Sequence, residues 1–189
     1  MGFIGDEHPR RRLTADEVMG MVEAGILAED EPLELLRGEL VVVSPQGPAH
    51  RTLTVIVREM LAGVYAGRAH VQDHSPIRAD DHSLPEPDVA VVRGPVEAFW
   101  SAHPRGPDTI LVVEIAHTSR ALDRDKAALY AEAGVPVYWL VDIPRRTVTA
   151  YEQPTADGYR TIRTLSETER LRVPETDLSW PVRDLLPPA

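Results

Sequence analysis

The sequence predicts an α/β domain in which a mixed, twisted sheet is flanked by helices. Three observations predict it. Strand-length runs rich in β-branched residues (PDVAVVR, TILVVEIA, VYWLVD, TVTAYEQ) alternate with segments whose apolar residues recur at helical spacing. Polar turns at Arg37-Gly38 and in IPRR join neighbouring runs as β-hairpins. A length of 189 residues with 43% hydrophobic and 26% charged content suits one domain, residues 1–189, with a proper core.

The elements follow in chain order. Thr14-Ala-Asp-Glu17 is a capping box, and Val18, Met21, Val22 and Ile26 continue it as a helix from about residue 15 to about residue 26. LELLRGELVVV reads as a hairpin, and SPQGP as a loop that leads into a second helix with Pro48 at its first position. Leu53, Ile56, Val57, Met60, Leu61 and Val64 form the apolar stripe of that helix. HVQDHSPIR is a strand followed by the turn-rich ADDHSLPEP, and PDVAVVR and TILVVEIA are two more strands. DRDKAALYAEAG is a helix stopped by Gly134, VYWLVD and TVTAYEQ pair beyond it, and the tail holds short strands and a weak helix near WPVRDLL.

Composition excludes several classes of function. There is no cysteine, hence no disulfide framework, thiolate nucleophile or zinc–thiolate site. His70, His74, His82 and His117 show neither HxH nor HExxH spacing, and no P-loop or GxGxxG is present. Trp100, Trp139 and Trp180 read as core or interface residues, not as a base-stacking platform. MGFIGDEHPRRRL lacks the apolar core of a signal peptide, and no apolar run is long enough to span a bilayer, so a cytoplasmic protein with no membrane partner is expected. A net charge of −10 argues against a broad nucleic-acid footprint and leaves room for a local basic groove, with Arg10, Arg11, Arg12, Arg51 and Arg58 as its candidates.

The chemistry collects around the chain's single lysine. Strand period puts Ile110, Val112, Glu114 and Ala116 on one face of TILVVEIA, so Glu114 is a carboxylate inside a buried strand, costly there unless paired or metal-bound. Asp88 opens the preceding strand after a rigid Pro85-Glu86-Pro87 turn. On the next helix Leu122, Lys126, Leu129, Tyr130 and Ala133 share a face, which aims Lys126 at the sheet that carries Glu114. Taken singly, Asp88 reads as a turn cap and Glu114 as half of an ion pair with an arginine. Taken together, two carboxylates and an ammonium are what metal-dependent phosphodiester hydrolysis needs: hard oxygen ligands and a charge beside the phosphate. Glu39, ahead of Glu34, is the candidate third carboxylate, though hairpin glutamates are most often solvated. His50 and Arg51, opening the second helix, are candidate substrate contacts, with a capping or surface role as the alternative for His50.

PEPD at 85–88, VVEIA at 112–116, DRDKAALYAEAGVPVYWLVD at 123–142 and LELLRGELVVVSPQGPAH at 33–50 together resemble the Uma2 family, also called DUF820, of the PD-(D/E)xK restriction-endonuclease-like group. The likeness covers roughly residues 14 to 152. It implies a restriction-endonuclease-like fold with Asp88 and Glu114 as catalytic metal ligands for Mg²⁺ or Mn²⁺. The motif's lysine normally stands two residues after the acid, where this chain has Ala116; the resemblance moves that role to Lys126 on the following helix. It further implies a metal-dependent endonuclease acting on DNA, commonly as a homodimer. The rival readings are a catalytically silent nucleic-acid-binding or regulatory module of the same fold, and a nuclease for RNA or a small phosphoester. Truncation of Lys126 to Ala is expected to abolish cleavage and leave folding intact.

Overall fold

The computed structural model of the chain describes residues 10–43, 46–116 and 120–188, and for residues 120–124 the backbone alone. His117 and the side chain of Leu122 therefore lie outside the described residues.

The first helix, α1, spans Ala15–Glu23, and its capping box is formed: Thr14 accepts from the Glu17 backbone, and Glu17 reaches back to the Thr14 N–H. It ends earlier than the apolar spacing suggests. Ala24 caps it, Gly25 takes a left-handed φ of 68°, and Ile26 is left exposed. Strands β1 (Leu33–Leu36) and β2 (Glu39–Val42) pair antiparallel across Arg37 and Gly38. Both turn residues have positive φ, 51° and 85°, as a two-residue I′ turn demands. The hairpin is tied to the 82–84 segment by Leu84 N–H to Leu35 O and Gly38 N–H to His82 O, which fixes where Glu34 points.

Helix α2 (Pro48–Tyr65) starts with Pro48 in its first turn. Strands β3 (Ala69–Gln72), β4 (Val89–Arg93), β5 (Thr109–Ala116), β6 (Val137–Asp142), β7 (Thr147–Thr155) and β8 (Gly158–Ser166) form a six-stranded sheet in that order. Only β5 and β6 run parallel, joined through helix α3 (Arg120–Glu132); the other pairs are antiparallel. Gly134, with φ of 79°, stops α3. A small pair, β9 (Arg170–Arg172) with β10 (Ser179–Pro181), and a 3₁₀ turn at Val182–Leu185 complete the chain. The sheet is thus mixed and flanked by helices, as expected. One difference is β8, a nine-residue strand where the sequence suggested only short ones: its core-facing apolar residues are few, so alternation is weak along an edge strand.

The strand β5 is buried along its whole length and divides two cores. On one face Val113 and Ile115 join Leu53, Val57 and Leu61 of α2. On the other, Val112 joins Ala127, Tyr130 and Ala131 of α3, with Tyr138 of β6. The tryptophans part company. Trp139 is buried and meets Trp180 edge-on at 6.3 Å, but Trp100 is 88% exposed, contrary to a core or interface role within this chain.

Candidate active site

Asp88 immediately precedes β4, whose Val89 pairs with Val113 of β5. One step further along that antiparallel ladder sets Asp88 opposite Glu114, and opposite residues share a face. Asp88 is buried and well supplied with donors. Its Oδ2 accepts from the Ile115 backbone N–H at 2.7 Å and lies 3.1 Å from His50 Nε2, while its Oδ1 accepts from Gln46 Nε2 at 2.9 Å. His74 Nδ1 stands 3.8 Å from Oδ1.

Glu114 and Lys126 meet as their spacings require. Lys126 Nζ donates to Glu114 Oε1 at 3.0 Å, and Tyr130, one turn further along α3, donates to the same oxygen at 2.8 Å. A third partner comes from β1: Lys126 Nζ lies 3.0 Å from each oxygen of Glu34. Glu34, Glu114 and Lys126 are all buried. The hairpin therefore contributes Glu34, not Glu39. Glu39 is largely exposed and faces Arg10 at 3.5 Å, so it stands outside the cluster that it was expected to join. In the β1–β2 register Glu34 pairs with Val41 and Glu39 with Leu36, so both glutamates share a hairpin face. Position along the strand separates them, since Glu39 adjoins the turn.

The electrostatics of the cluster are those of carboxylates crowded together out of water, which favours the protonated form of Glu114. Burial pushes the Glu114 carboxyl up to about 8; Lys126 works against that rise, and Asp88 and Glu34 add to it. Burial also raises Glu86, with repulsion from Glu34 adding and Lys126 opposing, which brings a fourth carboxylate into the field. For Lys126 burial disfavours the charge, but Glu114 and Glu34 outweigh it and raise the pKa, so the ammonium keeps its proton. His50 behaves likewise: burial opposes its charge, and Asp88, with Glu114 adding, raises its pKa overall.

The acidic donors are all oxygen, Glu34, Glu86, Asp88 and Glu114, facing one ammonium and two imidazoles, His50 and His74. Such a set fits a hard divalent cation in its chemistry. Glu34 Oε2 is buried and accepts no well-directed hydrogen bond, a further sign of unmatched acceptor capacity. As arranged, however, no three acidic or histidine side chains among the described residues converge on one metal-sized point. Lys126 lies between the carboxylates instead.

Of the substrate-contact candidates, His50 is buried and turned to Asp88, whereas Arg51 is exposed beside it on the first turn of α2. The candidate basic groove is largely neutralised: Arg10, Arg11 and Arg58 pair with Glu39, Glu17 and Asp73. Sequence reasoning missed Gln46, His74 and Glu86, and ranked Glu34 below Glu39. Tyr130 was legible, since it stands four residues after Lys126 on the same helix face.

The fold and site define a class, a restriction-endonuclease-like α/β domain with an acidic, lysine-bearing centre. The Uma2 family model, described as "Putative restriction endonuclease", matches residues 22–183, and this chain belongs to that family. The match reaches about thirty residues further toward the C-terminus than the motifs suggest, taking in β8 to β10. The crystal structure of a "putative nuclease belonging to DUF820" from Anabaena variabilis is similar over 92% of this chain and 97% of that one, with a TM-score of 0.74 and 20% identity, a likeness in fold. No curated protein matches the chain. No helix among the described residues is long and apolar enough to cross a membrane.

Proposed function

We propose that this chain is a metal-dependent endonuclease that hydrolyses phosphodiester bonds in DNA, with Asp88, Glu114 and Lys126 as its catalytic residues. The observation that carries the reading is three buried carboxylates, Glu34, Asp88 and Glu114, with half-buried Glu86 beside them and Lys126 as the cluster's one ammonium. Structural ion pairs balance their charges; a surplus of carboxylates calls for a cation from outside.

Asp88 and Glu114 would hold Mg²⁺ or Mn²⁺, which when bound supplies a water of lowered pKa and positive charge for the phosphate. The chain's own groups do the rest. Lys126 stays protonated, so it acts as a hydrogen-bond donor and point charge beside the developing phosphate charge, not as a general base. Glu34 holds the ammonium in place from β1, and Tyr130 fixes the Glu114 oxygen that Lys126 also binds. Gln46, His50 and the Ile115 N–H orient Asp88. Exposed Arg51 would meet a backbone phosphate. With a net charge of −10, affinity for DNA is local and modest, with a shallow salt dependence. A homodimer and a cytoplasmic location, both expected from the sequence and its resemblance, belong to the same proposal.

One observation favours a second reading. Every oxygen of Asp88 already has a donor, and Lys126 bridges Glu34 and Glu114, which is how a catalytically silent binding or regulatory module would settle. Supercoiled plasmid with Mg²⁺ or Mn²⁺ separates the two. Nicking by the wild type that disappears in the isosteric Glu114→Gln, with melting unchanged, is the expected result. DNA retention with no nicking under either metal would support the silent module, and cleavage of RNA alone would move the substrate class.

A further inference from the structure

A second concavity adjoins the site. It encloses about 310 Å³ between β3 and the 96–104 segment, within the range of small-ligand pockets. Aromatic rings form part of its lining: His70 and Phe99 lie 5.6 Å apart, and the exposed indole of Trp100 belongs to it too. His103 is part of the lining too; burial and the nearby Arg78 both lower its pKa and keep it neutral.

Two features set it apart from an incidental apolar dent. The first is a hydrogen-bond mismatch. His70 Nδ1 lies 3.0 Å from the Gly94 carbonyl, which can only accept, so in the neutral ring Nδ1 is the donor and Nε2 an acceptor. That Nε2 is buried and has no hydrogen-bond partner among the described residues. The second is the shared wall. Gln72 and Ser75 line the pocket, and between them His74, held at a φ of 43°, turns to Asp88 and lies 3.4 Å from Gln46. Backbone in that region is costly for a non-glycine residue and persists where the surroundings demand it. The turn therefore presents one side chain to the carboxylates and its neighbours to the pocket.

We propose that this pocket receives a nucleobase from the strand that is cut at the Asp88–Glu114 site, so it rests on the nuclease reading above. A planar heterocycle matches ring walls, and base N–H groups match a lone acceptor. One base entering one pocket needs no wide basic face, which suits an acidic chain in which Arg10, Arg11 and Arg58 are already paired. Stacking on Trp100 and Phe99 would hold the base, and a turn of the His70 ring that uncovers its Nε2 would let that nitrogen accept one of the base N–H groups.

The test uses the full-length protein without divalent cations, titrated with the four free deoxynucleosides while the indole signals are followed by NMR. The expected result is a saturable shift of the Trp100 signal, with Trp100→Ala and His70→Phe each weakening binding by about tenfold. Trp100→Ala should melt like the wild type, since the side chain is exposed, so it decides the matter if His70→Phe misfolds. No nucleoside-dependent shift, or unchanged affinity in Trp100→Ala, overturns the proposal. So does a Trp100 signal that moves on dilution alone, because a second copy of the chain would then be the occupant. Plasmid nicking is read in parallel. Nicking without nucleoside binding sinks the pocket and spares the nuclease reading; nucleoside binding without nicking supports the pocket and sinks the cleavage.

Discussion

On the α2 face of β5, Val113 and Ile115 meet Leu53, Val57 and Leu61 in an uninterrupted apolar layer. On the α3 face the same alternation places Val112 among Ala127, Tyr130 and Tyr138, then Glu114 against Lys126 and Glu34. Both layers are equally buried. The first gains from removal of apolar surface from water; the second spends burial on charges that would be more stable solvated. A strand that tolerates this on one face only is a strand whose other face supplies the stability. On the proposed reading, the Leu53–Leu61 stretch of α2 is scaffold, and the chemistry falls to α3 together with His50 and Arg51 in the first turn of α2.

The largest effect should come from breaking the charged layer. Lys126→Ala leaves Glu34 and Glu114 buried without their cation, and loss of one partner from such a cluster costs about 3–5 kcal/mol. Chemical denaturation should show a midpoint shift of that size along with lost nicking. The sequence alone suggested that this change would spare folding; the two glutamates bound to Lys126 are the reason it should not.

Next in size is the apolar layer. Leu61→Ala, at a fully buried position, should cost about 2–5 kcal/mol in the same denaturation experiment while the nicking rate per folded molecule stays near wild type. If nicking fell as steeply as in Lys126→Ala, the division of duties between the faces would be wrong.

A combined change sharpens the comparison further. Glu34→Gln with Glu114→Gln and Lys126→Met removes all three charges at similar volume, and should be within about 1 kcal/mol of the wild type or more stable, while inactive. Marked destabilisation of the triple variant would mean that the charged layer is structural.

The smallest effect belongs to Tyr65, on the α2 side, whose hydroxyl donates to the Pro174 carbonyl at 2.6 Å. Tyr65→Phe should cost about 1 kcal/mol. Burial pushes this hydroxyl up to about 12 from 10.0, with Glu175 adding and Arg68 and Arg93 opposing. Because the folded value is the higher one, its contribution is fully present below pH 10 and is lost as pH rises toward 12. The stability gap between wild type and Tyr65→Phe should stay constant up to about pH 10 and shrink above it.

How far the sequence reveals all this depends on whether period alone can settle a position. Glu114 and Lys126 were legible because strand and helix spacing each state a face, and the two faces were bound to meet. Tyr130 followed from the same helix. Glu34 was not, because the hairpin register puts it on one face with Glu39, and only the docking of the hairpin on residues 82–84 shows which end is covered. Gln46 and Glu86 sit in loops, where no periodicity exists to read. The early end of α1 turned on Gly25, a local stop that the apolar spacing ran straight through.

The contact between Glu34 and Lys126 joins residues 92 positions apart, and that between Arg37 and Glu132 spans 95. Such long-range closures are late and slow steps of folding, since the intervening loop entropy has to be lost first. A chain made as far as β5 but not yet through α3 holds every acidic side chain of the centre yet lacks the hairpin's clasp on the ammonium. The closed centre is thus a property of the finished fold, assembled only when both ends of that stretch are in place.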